Sequence, residues 1–239
     1  MRRPVTLIGG QFRSRHFGTL PYLHDAVALT REQAPLALYI GAANGDDESF
    51  GTGLCALVAA AGAKDIVWPK LVARRGAAAA ARAALERVHF VFVGGGDVEA
   101  GMDVLRRAQL VANLRAAAAR GVVFAGMSAG AIMLGERWVR WPRADAGDDE
   151  AETYECLGIA PCALDCHGEA DGWAEARSFA AVRARELKRK AKVYGVPSGG
   201  ALVARSGGKM HARGEPVPVF AALPRRAATI ERKLRAEKT

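Results

Sequence analysis

The chain has 239 residues, half of them apolar and a quarter charged, with a net charge of +9. That is globular composition with material for a sizeable core, and no apolar run reaches the ~18 residues of a membrane span. No signal-like segment, linker or repeat stands out, so the expectation is one soluble, cytoplasmic α/β domain over residues 1–239, with no membrane partner.

Residues 4–9 read as a first strand and residues 36–41 as a second, the latter running into Ala42-Ala-Asn-Gly-Asp-Asp47. A helix is expected over 49–62, a strand over 64–68, and an Ala-rich helix over 73–87. Residues 88–93 are a further apolar strand, followed at once by Gly94-Gly-Gly96. From Val98 to Arg120 the spacing of Leu105, Leu110, Val111 and Leu114 predicts one helix. Such alternation argues for a doubly wound, mostly parallel sheet with helices on both faces.

Residues 122–125 form the next strand, and Gly126-Met-Ser-Ala-Gly130 stands between it and the apolar helix-like run 131–134. A G-x-S-x-G between strand and helix is the nucleophile-elbow pattern. Its glycines flank the serine because side chains in so tight a turn would strike the strand or the helix. The turn lifts the Ser128 hydroxyl into the open and leaves the Ala129 N–H at a helix start. A right-handed crossover brings the triple glycine to the same sheet edge. The N–H groups of Gly95 and Gly96, with that of Ala129, could then hold an oxyanion. Glycine-rich turns before helices also bind phosphate, but the Lys-Ser/Thr partner of a P-loop is missing.

Beyond Ser128 the pattern loosens. Residues 138–155 are polar and acidic, with Asp145, Asp148, Asp149, Glu150, Glu152 and Glu155, and read as a loop or ribbon over the sheet edge. A strand over 157–166 delivers Asp165-Cys-His167, and a helix is expected over 174–190. Short segments at 193–196, 201–204, 209–213 and 217–220 suggest an antiparallel C-terminal extension.

Cys156, Cys162 and Cys166 lie near His167, which raises a zinc site. No C-x-x-C pair is present, and neighbours on a strand point to opposite faces, so metal is set aside and the thiols are expected reduced. No cofactor is implied. The basic clusters at 183–192 and from Arg225 onward alternate with Glu and Ala at helical spacing and lack an aromatic platform. They read as solvated surface and not as a nucleic-acid site.

Three elements in order (strand–Gly-Gly-Gly-Asp, strand–Gly-Met-Ser-Ala-Gly-Ala, strand–Asp-x-His) resemble the S51 serine peptidases, which include aspartyl dipeptidase and cyanophycinase. That family is similar to the class I glutamine amidotransferase, flavodoxin-like fold, with serine in place of the nucleophilic cysteine. The resemblance runs from the first strand to about residue 204. It implies Ser128 as nucleophile, His167 as general base, Gly95, Gly96 and Ala129 as oxyanion donors, and Asp97 and Asp165 as residues near the substrate. The chain departs from the family where many members carry an acid and it has Gly195-Val-Pro-Ser198. Val98 also follows Asp97 where cyanophycinase-like members often place Gln. In the aspartyl dipeptidase the third triad member lies between serine and histidine, which makes Asp145 the expected acid, with Asp148 next.

Acyl transfer needs a base to take the serine proton and a carboxylate to orient that base. The expectation is a serine hydrolase cleaving short peptides, with Asp165 favouring a cationic substrate group and Arg177 meeting a carboxylate. The alternative is an amidotransferase-like domain that has lost catalysis and binds a small ligand or partner. A homodimer is compatible with either.

Overall fold

The structure is a computed structural model and describes residues 3–10, 20–143, 145–226 and 229–237. In chain order it begins with β1 (Val5–Ile8), α1 (Leu20–Ala28), β2 (Leu36–Ile40) and a 3-10 turn, Ala42–Asn44. There follow α2 (Glu48–Ala60), β3 (Asp65–Val67), α3 (Ala77–Leu85), β4 (Phe90–Val93), α4 (Val98–Arg107) and α5 (Val111–Arg120). The elbow joins β5 (Val123–Met127) to α6 (Ala129–Leu134), after which come β6 (Arg137–Arg140) and β7 (Glu152–Glu155). The last third holds β8 (Leu164–Cys166), α7 (Ala174–Leu187), β9 (Ala191–Val196), β10 (Ala201–Ala204) and β11 (Met210–Arg213). It closes with β12 (Val217–Ala222), β13 (Thr229–Leu234) and β14 (Ala236–Glu237).

Among the described residues the strands form three sheets. The main one runs β14-β11-β10-β1-β5-β4-β2-β3, with β1, β5, β4, β2 and β3 parallel and β10 antiparallel to β1. Period-two alternation divides its side chains between two cores. Leu38, Ile40, Val91, Val93 and Phe124 face α3 to α6. Ala37, Tyr39, Phe90, Phe92 and Ala125 face α1 and α2. Both faces of the central strands are buried, which is why they read as unbroken apolar runs.

The expected single helix over 98–120 is two. Gln109 adopts φ 55, and its N–H reaches Arg106 O while that of Leu110 reaches Leu105 O. This pair of bonds is a Schellman C-cap, with Leu110 packing back into the core beside Leu105. Glycine usually takes the left-handed position, so a glutamine there gives no sequence warning.

The expected strand over 157–166 is also shorter, covering Leu164–Cys166 alone. The preceding residues wrap the end of α6. The N–H groups of Leu157, Ile159 and Ala160 bind Met133 O and Leu134 O, and Gly158 N–H binds Gly135 O. A six-residue helix leaves most of its carbonyls without intrahelical partners, and this segment satisfies them.

The C-terminal strands are not one extension. β10 and β11 enlarge the main sheet, whereas β13-β12-β9-β8 form a second sheet in which β8 and β9 are parallel. α7 packs on that sheet through Phe179, Ala180 and Ala184 against Val193 and Phe220. The basic stretch after Arg225 contains a strand, β13, paired with β12 and not a helical pattern. Lys190 and Lys192 both meet Glu231 of β13. Residues 227, 228, 238 and 239 of that stretch lie outside the described residues. Among the described residues no helix is long and apolar enough to cross a membrane.

Candidate active site

β4 and β5 are parallel neighbours, so the triple glycine and the elbow emerge at one sheet edge. Ser128 sits at φ 53, ψ −124, a strained region that costs a non-glycine residue about 1–3 kcal/mol and marks functional positions. Its own N–H is held by Ile8 O at 2.9 Å. The flanking glycines are sterically required. A Cβ on Gly126 would lie 2.5 Å from Gly130 O, and one on Gly130 would lie 2.1 Å from Val93 O. α6 therefore docks directly on the strand backbones.

Gly95 packs against the serine, since a Cβ there would stand 3.1 Å from Ser128 Cβ. Gly96 takes φ 142 and passes so close to the 3-10 turn that a Cβ would meet Ala43 O at 2.1 Å. Among the described residues neither the Gly95 nor the Gly96 N–H makes a hydrogen bond. Ala129 opens α6, so its N–H has no intrahelical acceptor.

The histidine comes from the second sheet. Ser128 Oγ and His167 Nε2 are 2.8 Å apart. His167 is just past the end of β8, at φ 47, with its N–H on Val196 O at 3.0 Å. Two residues on, Glu169 accepts from the Ser198 N–H at 2.5 Å. The loop carrying His167 is thus tied twice to the end of β9.

Cys166 and His167 both reach Ser128, the thiol at its backbone and the imidazole at its hydroxyl. The Cys166 thiol is buried and donates to Ser128 O, and burial pushes it well above the usual thiol range. Burial likewise raises Cys156 and Cys162 to about 12.

Ser128 and His167 open into a crevice of about 320 Å³, the size of a small-ligand site. Of the other residues named from the sequence, Gly96, Asp97, Ala129 and Asp165 also line it. Asp97 caps α4 through Ala100 N–H at 2.8 Å. Asp165 is 4% exposed; its Oδ1 accepts the Cys166 N–H, while Oδ2 is buried without a hydrogen-bond partner among the described residues. Two further carboxylates, Asp171 and Glu175, line the crevice and were not singled out from the sequence. Glu175 opens α7, where an acid looks like an ordinary helix-dipole partner.

Three expected residues are elsewhere. Asp145 is 84% exposed and pairs with Arg143, because the ribbon β6–β7 carries its tip away from the crevice. Asp148, the second choice, accepts from Ser178 Oγ. Arg177 donates to Gly172 O and lies over the Phe220 ring, since its place on α7 faces the second sheet. Among the described residues no carboxylate hydrogen-bonds the His167 ring.

The model of peptidase family S51 matches residues 14–212. Two solved structures share the fold. One is a peptidase from an acI-B1 Actinobacterium, at TM-score 0.71 and 19% identity, with 98% of this chain and 97% of that one covered. The other is a putative peptidase E protein from Listeria monocytogenes EGD-e, at TM-score 0.65 and 11% identity, with 90% and 100% covered. None of the curated proteins matches the chain in sequence. With the family model spanning residues 14–212, most of its length, this chain belongs to peptidase family S51.

Proposed function

We propose that this S51 peptidase is a serine-type enzyme that cleaves short peptides through an acyl-enzyme. The observation that carries the reading is the 2.8 Å contact between Ser128 Oγ, half-buried on its strained turn at the crevice, and His167 Nε2. Oγ attacks the scissile carbonyl carbon as its proton passes to Nε2, and the negative charge moves to the carbonyl oxygen. The N–H groups of Gly95, Gly96 and Ala129 stabilise that oxyanion. Collapse breaks the C–N bond, and the imidazolium gives its proton to the leaving amine. Water, deprotonated by the same imidazole, then releases the acid from Ser128. A crevice of about 320 Å³ suits a short peptide, not a folded protein.

The bare His167 ring favours a second reading, a domain that binds peptides without turning them over. One experiment separates the two. A fluorophosphonate probe should modify wild-type protein at Ser128 in one-to-one stoichiometry, located by peptide mass spectrometry, and leave Ser128→Ala unmodified. Folded wild-type protein that resists the probe would favour the non-catalytic reading.

A further inference from the structure

Asn44-Gly45 stands in the turn between β2 and α2, and the chain's other asparagine, Asn113, is followed by Leu114 within α5. An asparagine before glycine is prone to cyclise on itself, because no side chain on the next residue shields its backbone nitrogen. Gly45 is exposed at φ 69, and its N–H is held by a long 3.4 Å bond to Ala42 O. The Leu114 N–H, by contrast, is locked into its helix by Leu110 O at 2.9 Å. The Asn44 side chain folds forward along the chain, its Oδ1 accepting the Asp47 N–H, which brings Cγ to the side of the Gly45 nitrogen. This turn also carries the triple glycine. Asn44 Nδ2 donates to Gly95 O, and Ala43 O accepts the Asp97 N–H, so the Gly95-Gly96 segment leans on residues 43 and 44 at both ends.

We infer that Asn44 is a modification site at which this protein deamidates itself, and that the product releases the Gly95-Gly96 loop beside Ser128. The Gly45 nitrogen, giving up its proton, attacks Asn44 Cγ; a C–N bond forms, and the side-chain nitrogen takes up a proton and leaves as ammonia. Water then opens the cyclic imide at either carbonyl, leaving an aspartyl or an isoaspartyl residue. The sum is amide plus water to acid plus ammonia, with no oxidant or co-reactant. An aspartyl carboxylate can still accept from Tyr39 OH, but it has no N–H for Gly95 O and repels it. An isoaspartyl residue adds a methylene to the main chain and shifts the turn whose Ala43 O holds the Asp97 N–H. Either product loosens donors that an oxyanion needs aimed. The consequence for catalysis rests on the proposed function; the modification and the release of the loop do not.

The test ages the wild-type chain in warm, mildly alkaline buffer, maps its peptides by mass, and follows hydrogen exchange at the Asp97 N–H. Asn44 is expected to convert while Asn113 stays intact, with exchange at Asp97 rising in step with conversion. Gly45→Ala, whose methyl meets open space, should convert more slowly, and Asn44→Asp should show the faster exchange without ageing. An Asn44 that converts no faster than Asn113, or conversion without faster exchange at Asp97, overturns the inference. Fluorophosphonate labelling of the same samples, normalised to the unaged protein, reads the catalytic consequence: it should slow ~10-fold or more in the converted fraction. Exchange that rises while labelling holds would remove Asn44 from the oxyanion account and leave the modification standing. Unaged protein that resists the probe would count against the peptidase reading alone.

Discussion

Asn44 Nδ2 donates to Gly95 O at 3.0 Å, and the same amide meets Tyr39 OH at 3.2 Å while its Oδ1 accepts from Asp47 N–H. Every polar group of this side chain is engaged, so its orientation is set. A trans peptide points its C=O and its following N–H in opposite directions. By holding Gly95 O toward the 3-10 turn, Asn44 turns the Gly96 N–H away from it, as an oxyanion donor requires. The Asp97 N–H on Ala43 O at 2.8 Å fixes the far side of the same glycine.

Asn44→Asp keeps the shape but puts a carboxylate against the Gly95 carbonyl. Losing one well-aimed oxyanion donor costs ~10²–10³ in kcat, and a misaligned one less. We expect kcat to fall ~10–100-fold with KM nearly unchanged, and binding of a boronate transition-state analogue to weaken in parallel. A change confined to KM would show that Asn44 serves binding instead.

Ser128→Ala should fold and lose ~10⁴-fold or more in kcat/KM, measured on whichever short peptide is cleaved best. Asp145→Asn should change kcat/KM by less than ~2-fold, since an exposed pair such as Arg143–Asp145 is worth at most ~1 kcal/mol and touches nothing in the crevice. A large loss in that variant would return the acid to the ribbon.

Two glycine substitutions separate contact from conformation. Gly130→Ala drives a methyl to 2.1 Å from Val93 O, backbone against backbone, and should lower stability by roughly 2–4 kcal/mol. Gly53→Ala, within α2 and with open space around it, should raise stability by about 0.5–1 kcal/mol. Urea unfolding of both variants reads the two signs directly.

Burial, with Glu175 and then Asp171 facing it, pushes Asp165 from 3.8 up to about 8, against the opposing Cys166 N–H. Between those values the folded chain holds a proton that the unfolded chain has released. The stability from this group is fully present below pH ~4 and is lost as the pH rises through about 8. Relative to Asp165→Asn, wild-type Tm should therefore decline from pH 5 to pH 9. Parallel Tm curves would mean that Asp165 stays ionised throughout.

Much of the fold was legible because its central strands are buried on both sides. Residues 88–93 and 122–125 could only be parallel strands in a layered domain, and the glycines of the elbow have no other steric use than the one found. The site was legible where a motif forces a backbone shape, as at Ser128, and where a strand end delivers a side chain, as at His167. The rest depended on pairing. β9 lies next to β8 only after α7 has crossed over, and no local pattern in residues 191–196 names that partner. The break at Gln109 was hidden because a residue without glycine's freedom takes the left-handed position. Asp171 and Glu175 stand at a helix start, where acids are ordinary, and no sequence pattern sets them in the crevice with Asp165. Asp145 had the right separation from serine and histidine, but a ribbon's tip can lie anywhere a turn carries it.

Ser128 and His167 are delivered by different sheets, and the chain passes from β9 to β10 through residues 197–200 alone. There Gly200 N–H binds Pro197 O, and Gly200 O takes the Gly9 N–H next to the strand end that holds Ser128. The elbow's own residues are complete by Leu134, yet the backbone acceptor for His167 is Val196 and the strand that seats beside β1 is 201–204. During synthesis a chain of 134 residues would carry its serine with no partner within reach. The contact between Ser128 and His167 is assembled only once the chain has been made to about residue 204 and docked, so it arrives together with the closing of the fold and not before it.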